Sequence, residues 1–546
     1  MSAQSKAAAR AGRAAPVSSS YPLQAPTGGL NTRDALANMP ETDCVLIDNL
    51  YCQPTWVEIR GGSLTLATFT GQPLTLMAYA ALSAANNQMF ASVANGAVNS
   101  IYRVDNAGGG AVGAAVVGGA GNTIQQVTNP NFDYAQYGTG SAEVLWLVNG
   151  SDNPLLYDGT TWYSITTVSV PYALTGGPTP LTSLASVVVY KQRVWFIQKN
   201  TMNVWYLPQA QFAGALTQLN VGPNFKLGGY LVAAITVSID NTAGTNDYIA
   251  FLSNQGEVIM FQGYDPANVA TWQMSAHFRI GAPVGSGRDC WQKMGMDALI
   301  MCQDGFLLLS EAMLTDRDQT RNAVSDKVRL SVNQNIGLYG SLNGWQVLLY
   351  PAGNKLIFNV PTSANAVTSF QYVMNTLTGA WQTWGQYASP LNASCWENFN
   401  NLLYYGKNGS IQQGDYGLSD NGAAITWSVK QAFSYCGEKS NIKRFTQAQP
   451  FLQTNGTVNV SLSLSIDFDN SMPTQSIPLS VGQGTQWGSQ WGSFWGDAQQ
   501  IIKNWIGVQG AGYAGALFMQ GSTENLTMKW QMTNIMFETG GTFYGK

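Results

Sequence analysis

The feature that constrains this chain most is a recurrence: an apolar strand, usually an Asn/Gly or Asp/Gly turn, and a second apolar strand return about every 52 residues. Gln88-Met89-Phe90-Ala91-Ser92-Val93 is answered by Ile101–Val104, and Val144–Val148 by Pro154–Tyr157. Arg193–Ile197 is followed by Asn203–Leu207, Ile249–Leu252 by Val258–Phe261, and Ala298–Cys302 by Phe306–Leu309. Lys355–Asn359 and Leu402–Tyr405 open two further copies. Residues 89, 145, 194, 250, 299, 356 and 402 anchor the series. A four-stranded propeller blade takes about 40–50 residues, so the spacing predicts an all-β fold centred on a β-propeller of about seven blades. Turn residues able to adopt positive φ sit where each hairpin must reverse. Stacking the units in a ring buries both faces of each sheet and hides most edges, which isolated hairpins cannot do. Ala81–Leu145 and Leu309–Leu356 are irregular and leave room for a further blade or an insertion. The competing arrangement is a set of unrelated hairpins in two sandwiches. Trp162, Trp381 and Trp384 follow turns, where a bulky ring can wedge neighbouring blades. Asp326–Gly340 alone reads as helical.

Both flanks of residues 74–424 look different. Val458, Val460, Leu462, Leu464, Ile466 and Phe468 alternate with polar residues, the period of a strand with one buried and one solvated face. A second long element covers Leu526–Phe537. Between them Trp487, Trp491 and Trp495, each followed by glycine, are interface candidates: such rings either clamp a loop onto its own sheet or dock on another subunit. Residues 425–546 are therefore expected to form an additional β-sandwich-like platform domain. Residues 21–73 are expected to pack with it, and residues 1–20, rich in Ala and Ser, to be a flexible tail.

Only 10% of the residues are charged, against roughly a quarter in ordinary soluble proteins. Amides, hydroxyls and glycines must cover the surface instead, a style that suits extracellular or particle-bound β proteins. The net charge of −4 gives no chain-wide basic footprint for nucleic acid. A conduit for a sliding polyanion would avoid such a footprint, because each phosphate neutralised adds drag. The six cysteines form no C-x-x-C pair and have one histidine, His277, to join them, so zinc and iron–sulfur sites are poorly supported. Most of the cysteines are expected to be buried free thiols, and His277 an ordinary structural histidine. No phosphate loop, dinucleotide fingerprint or calcium loop occurs, and no cofactor is expected. Acid pairs such as Asp133 with Asp152, or Asp304 with Asp316, are what a glycoside hydrolase would need, at a separation that sequence does not give. The balance points away from an enzyme. No apolar run reaches the 18 or so residues of a membrane span.

The N-terminal segment Gly28-Gly29-Leu30-Asn31-Thr32-Arg33-Asp34, Met39–Leu50 with Asp48-Asn49, and Trp56-Val57-Glu58-Ile59-Arg60-Gly61-Gly62 resembles the opening of the tail hub and nozzle proteins of short-tailed bacteriophages, the packaged-DNA stabilisation and tail accessory factors. The resemblance covers residues 28–62. It implies a structural virion protein: a homo-oligomeric, six-fold tail ring around the DNA exit channel, attached to the portal adaptor. Such a ring would carry tail fibres or spikes, conduct double-stranded DNA on ejection and be assembled in the host cytoplasm. It marks Gly28, Gly29, Asn31, Arg33, Asp34, Asp48, Asn49, Arg60 and Gly61 as motif and assembly candidates, with Arg33, Asp34 and Arg60 available for ion pairs within the chain or to the next protomer. Two other readings stand beside it. A glycan-binding adhesin or tail fibre requires aromatic-lined pockets at the blade tops, and a propeller hydrolase requires carboxylates converging on the central cavity.

Overall fold

The computed structural model describes residues 18–539 except 97, 120–123, 125–126, 141, 242–243, 269, 315–322, 470–476 and 480–499. A four-stranded antiparallel sheet starts at Gln72–Tyr79 and continues through Gln88–Ala94, Ser100–Arg103 and Val117–Gly118. Sheets of the same design start at Asp133–Gly138, Leu184–Tyr190, Leu231–Asn241 and Gln346–Tyr350. Trp291–Met294 opens a three-stranded version. Cys395–Phe399 opens the last, whose outermost strand, Ser63–Thr68, comes from the N-terminal region and pairs with Ser410–Gly414. All seven anchor residues of the repeat fall on the second strand of their sheet. Those strands are buried almost continuously, Lys355–Pro361 over its whole length, which is why they read as apolar runs rather than alternating ones.

Neighbouring sheets share their cores. Met77 and Phe90 of the first pack with Leu145 and Tyr157 of the second, and Trp146 of the second with Phe196 of the third. Trp195 of the third meets Phe251 of the fourth, whose Ala250 and Leu252 join Ala298 and Ile300 of the next. Ile357 lies with Trp396 and Tyr405, and Cys395, Tyr404 and Ile411 return to Leu76 and Met89 of the first sheet. The architecture is all-β and propeller-like, with several sheets resembling blades.

The sheet that starts at Gln346–Tyr350 does not stop at its fourth strand, Trp381–Trp384. It continues through Gly29–Leu30 and Asp43–Asp48 into Ile425–Gln431, Gly515–Thr523, Val460–Ile466 and Ile477–Leu479, ten strands in all. Lys443–Thr454 and Met528–Thr539 form the spine of a second sheet that also takes in Ser18–Gln24, Leu50–Cys52 and Val57–Ile59. One apolar cluster joins the two, with Trp427, Val429 and Leu517 on one side and Phe445, Leu452, Trp530 and Ile535 on the other. N-terminal strands are thus laid directly on C-terminal ones. The alternation around Val458–Phe468 marks a real strand, yet Ser463 and Ser465 on its polar side are 8% and 7% exposed, so that face is covered rather than solvated.

Two α-helices occur among the described residues, Leu309–Leu314 and Arg329–Tyr339. The second lies in the stretch that reads as helical; it buries Val332 and Ile336, and its Asn335 Nδ2 donates to the Tyr372 hydroxyl at 2.7 Å. No helix among the described residues is long and apolar enough to cross a membrane. All six cysteines are buried thiols outside any disulfide.

Candidate functional site

The residues singled out in the N-terminal opening are engaged within the chain. Gly29 has φ +76°, and a Cβ there would lie 2.4 Å from the Trp381 carbonyl oxygen, so the parallel pairing with Trp381 admits only glycine. Asn31 Nδ2 donates to Asp34 at 2.9 Å and to Asp43 at 2.8 Å, and its Oδ1 accepts from the backbone of Arg33 and Asp34. Arg33 pairs with Asp34 at 2.8 Å and with Asp326. Lys327 Nζ bridges the Gly28 carbonyl and Asp43, both at 2.7 Å. Asp48 accepts the consecutive backbone N–H groups of Gln386, Tyr387 and Ala388 at 3.1, 3.0 and 3.2 Å; burial pushes its pKa up and these donors oppose that. Asn49, at φ +57°, donates to the Ala388 and Thr426 carbonyls and accepts from Gly385 and Arg60. Arg60 also donates to the Gly61 carbonyl at 3.0 Å and to both oxygens of Asp420 at 2.9 and 2.6 Å. The motif is a set of clasps between the N-terminal strands, the turn at 385–389 and the end of the last sheet. Trp487, Trp491 and Trp495 lie outside the described residues.

A second constellation gathers where the sheets begin. The 3₁₀ segment Gly287–Cys290 lies against the first strands of the second, third, fourth, fifth and sixth sheets. Its Arg288 reaches the seventh, where Nη1 and Nη2 donate to Glu397 Oε2 at 3.3 and 3.2 Å. The guanidinium carbon stands 3.9 Å from the centre of the Tyr134 ring, and the Tyr134 hydroxyl donates to the same Glu397 oxygen. Gly287 sits at φ +60°, and a Cβ there would be 2.6 Å from Asp133 Oδ2. This segment therefore acts as a plug in the middle of the sheets, fitted against Asp133 on one side and Glu397 on the other.

Two cavities flank the plug. The smaller, of about 20 Å³, is sized for a water molecule and is lined by Asp289, Trp345 and Cys395. The larger, of about 270 Å³, is lined by Asp133, Gln136, Ser186, Trp291, Gln292 and Lys293 along with Tyr134 and Arg288. Asp133 is 8% exposed; its Oδ2 accepts the Val187 N–H at 3.3 Å, while its Oδ1 has no hydrogen-bond partner. Burial pushes the Asp133 carboxyl up to about 6, with Ser186 and Arg288 opposing. Asp289 is pushed up to about 7, first by burial and then by the nearby charges of Asp133 and Glu397, against the pull of Arg288. Carboxylates do converge at the centre, but they do not face one another across the larger cavity: Glu397 is held by Arg288 and Tyr134, and Asp289 lines the smaller one. Asp133 is the acidic side chain on the wall of the larger cavity.

The other chemistry-bearing residues lie elsewhere. Asp152 accepts from the backbone of Thr128 and Asn129 and from Asn149 in a turn of the second sheet, apart from Asp133. Asp304 lies in the turn after Cys302, and Asp316 falls outside the described residues. His277 contacts Glu257 at 3.2 Å, and Glu257 also accepts the backbone N–H groups of Lys226 and Leu227. Among the described residues no three His, Cys, Asp or Glu side chains are grouped to hold a metal ion. Arg288, Asp289, Trp291 and Glu397 were not singled out in the sequence. Their one local signal is the stretch Gly285-Ser286-Gly287-Arg288-Asp289, adjacent opposite charges after two glycines just before a repeat's first strand.

The fold and the site define an all-β, propeller-like protein with a polar cavity beside a central plug. No family model and no curated protein matches the chain. Solved structures do. The β-propeller domain of Cps50 (Swd1) from Myceliophteria thermophila is matched at 9% identity and a TM-score of 0.38, over 64% of this chain and 98% of that one. A glycoside hydrolase family 43 arabinoxylan arabinofuranohydrolase from Bacillus subtilis gives 10% and 0.26 over 87% and 95%. An exo-β-1,3-galactanase from Phanerochaete chrysosporium gives 12% and 0.24 over 74% and 95%. The structures named are a Swd1 propeller domain and two glycoside hydrolases, not bacteriophage tail proteins, and the expectation of a tail hub ringing a DNA channel in a virion is set aside. The opening motif offers a physical reason of its own for its pattern: its residues meet the chain's folding needs as a clasp within the chain.

Proposed function

We propose that this chain is a non-catalytic recognition protein: a closed seven-bladed propeller carrying a β-sandwich-like platform, which binds a glycan in the cavity beside its plug. The reading rests on one observation, the half-buried ring of Trp291 set among polar side chains on the wall of a 270 Å³ cavity. Gln136, Gln292 and Ser186 add amide and hydroxyl groups, and Trp291 adds an apolar face, the mixture that a sugar ring with polar edges and apolar C–H faces requires. The aromatic group belongs to the central cavity, not to blade-top pockets. Hydrolysis would need a second carboxylate facing Asp133 across the substrate, and the acids nearest it are held in the plug or turned to the smaller cavity.

An array of neutral oligosaccharides at pH 7.5 tests this. Binding that falls at least tenfold in W291A, with no sugar released over hours, is the expected result. A blank array, or reducing sugar appearing with time, refutes it.

A further inference from the structure

Resting on the glycan reading, we infer that the central cavity favours an acidic sugar, one bearing a carboxylate or a sulfate, and that Lys293 is the residue that selects it. The geometry starts from the strand. Trp291–Met294 pairs with Asp297–Cys302 without a shift of register, Trp291 opposite Ile300 and Lys293 opposite Ala298. Residues two apart on a strand point to the same side and stand about 7 Å apart. Trp291 and Lys293 therefore share one side, the side on which Trp291 packs with Ala298 and Ile300 against the fourth sheet. Both line the cavity, Trp291 half-buried and Lys293 exposed. A sugar ring laid on the indole presents its exocyclic groups within reach of the ammonium, which the flexible four-carbon stem of lysine carries to meet them.

The charges on the wall decide the sign of the ligand. Three charged side chains line the cavity: Asp133, Arg288 and Lys293. The first two are spent. Asp133 is buried, meets the Val187 N–H, the Ser186 hydroxyl and the backbone of Arg288, and has its charge opposed by that of Arg288. Arg288 gives both terminal nitrogens to Glu397 and lies over the Tyr134 ring. Lys293 differs. Its carbonyl accepts from Gln292, but its ammonium makes no hydrogen bond or ion pair among the described residues. The acid it acts on at longer range, Asp247, is held by Lys191 and by the Ser238 hydroxyl at 2.8 Å. A ligand in the cavity thus meets one uncommitted charge, a positive one, beside an aromatic face. An anionic group on the sugar supplies its partner, and a charge-assisted hydrogen bond joins them. Lysine acts as a point charge rather than a planar fork, so carboxylate and sulfate share the chemistry it recognises.

Calorimetry on matched ligands tests this. Each neutral oligosaccharide that the array returns is compared with its uronate and its sulfated counterpart, in about 50 mM and about 500 mM salt. An anionic member is expected to bind about tenfold tighter than the neutral one at the lower salt and about threefold tighter at the higher, because a partly exposed ion pair is screened. K293Q removes the charge and keeps a polar side chain, and should bring all three ligands to within about twofold of one another. Should K293Q misfold, the salt dependence of the unmodified protein still decides. A preference for the uronate alone identifies carboxylate as the group recognised, and one for the sulfated sugar alone identifies sulfate; either supports the inference. Equal affinities in the unmodified protein, or a preference that survives in K293Q, overturn this inference alone. An array on which no neutral glycan binds overturns the glycan reading and this inference with it.

Discussion

Replacing Arg60 by methionine tests whether the N-terminal opening is a clasp. The Arg60 side chain is 1% exposed, and its donors are spent on Asn49, the Gly61 carbonyl and both oxygens of Asp420. Methionine keeps most of the stem's volume and removes every donor, leaving Asp420 with an uncompensated charge and Asn49 Oδ1 with one donor, the Gly385 N–H. Breaking a buried pair by deleting one partner costs about 3–5 kcal/mol. Asp420 is 20% exposed and keeps the Ser63 hydroxyl at 3.3 Å, so the lower end, about 3 kcal/mol, applies. The loss should be local first. Arg60 stands just ahead of Ser63–Thr68, the strand that completes the last sheet, so peptides covering 60–69 and 410–423 should exchange amide hydrogens about a hundredfold faster, while those in the third sheet stay unchanged. Removing the orphaned charge as well, in R60M/D420L, should recover about 1–2 kcal/mol, because a buried apolar pair carries no unpaired ion. Hydrogen exchange with mass spectrometry reads both effects. Unchanged exchange in R60M, or a double variant weaker than the sum of its parts, would refute the clasp.

Three further outcomes follow from the same geometry. The folded-state pKa of Asp133 is raised from 3.8 to about 6, so the folded chain holds that proton more tightly than the unfolded one; the penalty is full above pH 6 and gone below pH 4. Against the unmodified protein, D133N should gain about 3 kcal/mol at pH 7.5 and nothing at pH 4, read by urea unfolding at both; equal gains at both would remove the cause assigned here. G287A should cost about 2–3 kcal/mol and perturb the Trp291 fluorescence environment, since its Cβ must displace Asp133 at a backbone angle alanine resists; a stability within about 0.5 kcal/mol of wild type would mean the plug is loose. All six thiols are buried, with Cys52 and Cys395 pushed up to about 12 by burial, so an aromatic disulfide at pH 8 should titrate none in the native protein and six in denaturant; fast reaction of any native thiol contradicts the packing.

The repeat was legible because the second strand of each sheet is sandwiched between neighbours, and burial on both faces leaves a run such as Val144–Val148 with no polar residue to obscure it. The first strands, which line the centre, escaped notice for the complementary reason. Strands such as Asp133–Gly138 and Trp291–Met294 are short and mix polar with apolar residues, because one side meets a cavity. Glu397 and Arg288 are 109 positions apart, and only the ring-like succession of sheets makes them neighbours, so no local pattern announces the plug. The opening motif shows the reverse case. Gly28–Gly62 stands out because a clasp tolerates few residue types at Gly29, Asn49 and Arg60, and that restriction reflects positive φ and buried charge, which any protein tying its N-terminal strands into a late sheet would share.

The clasp and the plug solve one physical problem at opposite ends of the sheets. A circle of sheets is held by apolar contacts between neighbours, which are strong but poor at fixing register, since one buried Val or Leu face fits the next in more than one way. Directional, charge-assisted bonds remove that freedom. Arg60 does so where the chain's beginning is laid against its late strands, and Arg288 does so in the segment that meets the second to sixth sheets and reaches Glu397 of the seventh. Each places an arginine against a carboxylate reached from far along the chain, so neither forms until those distant strands have come together. The segment that carries Arg288 thus lies between those first strands, with the cavity walled by Asp133 and Trp291 beside it.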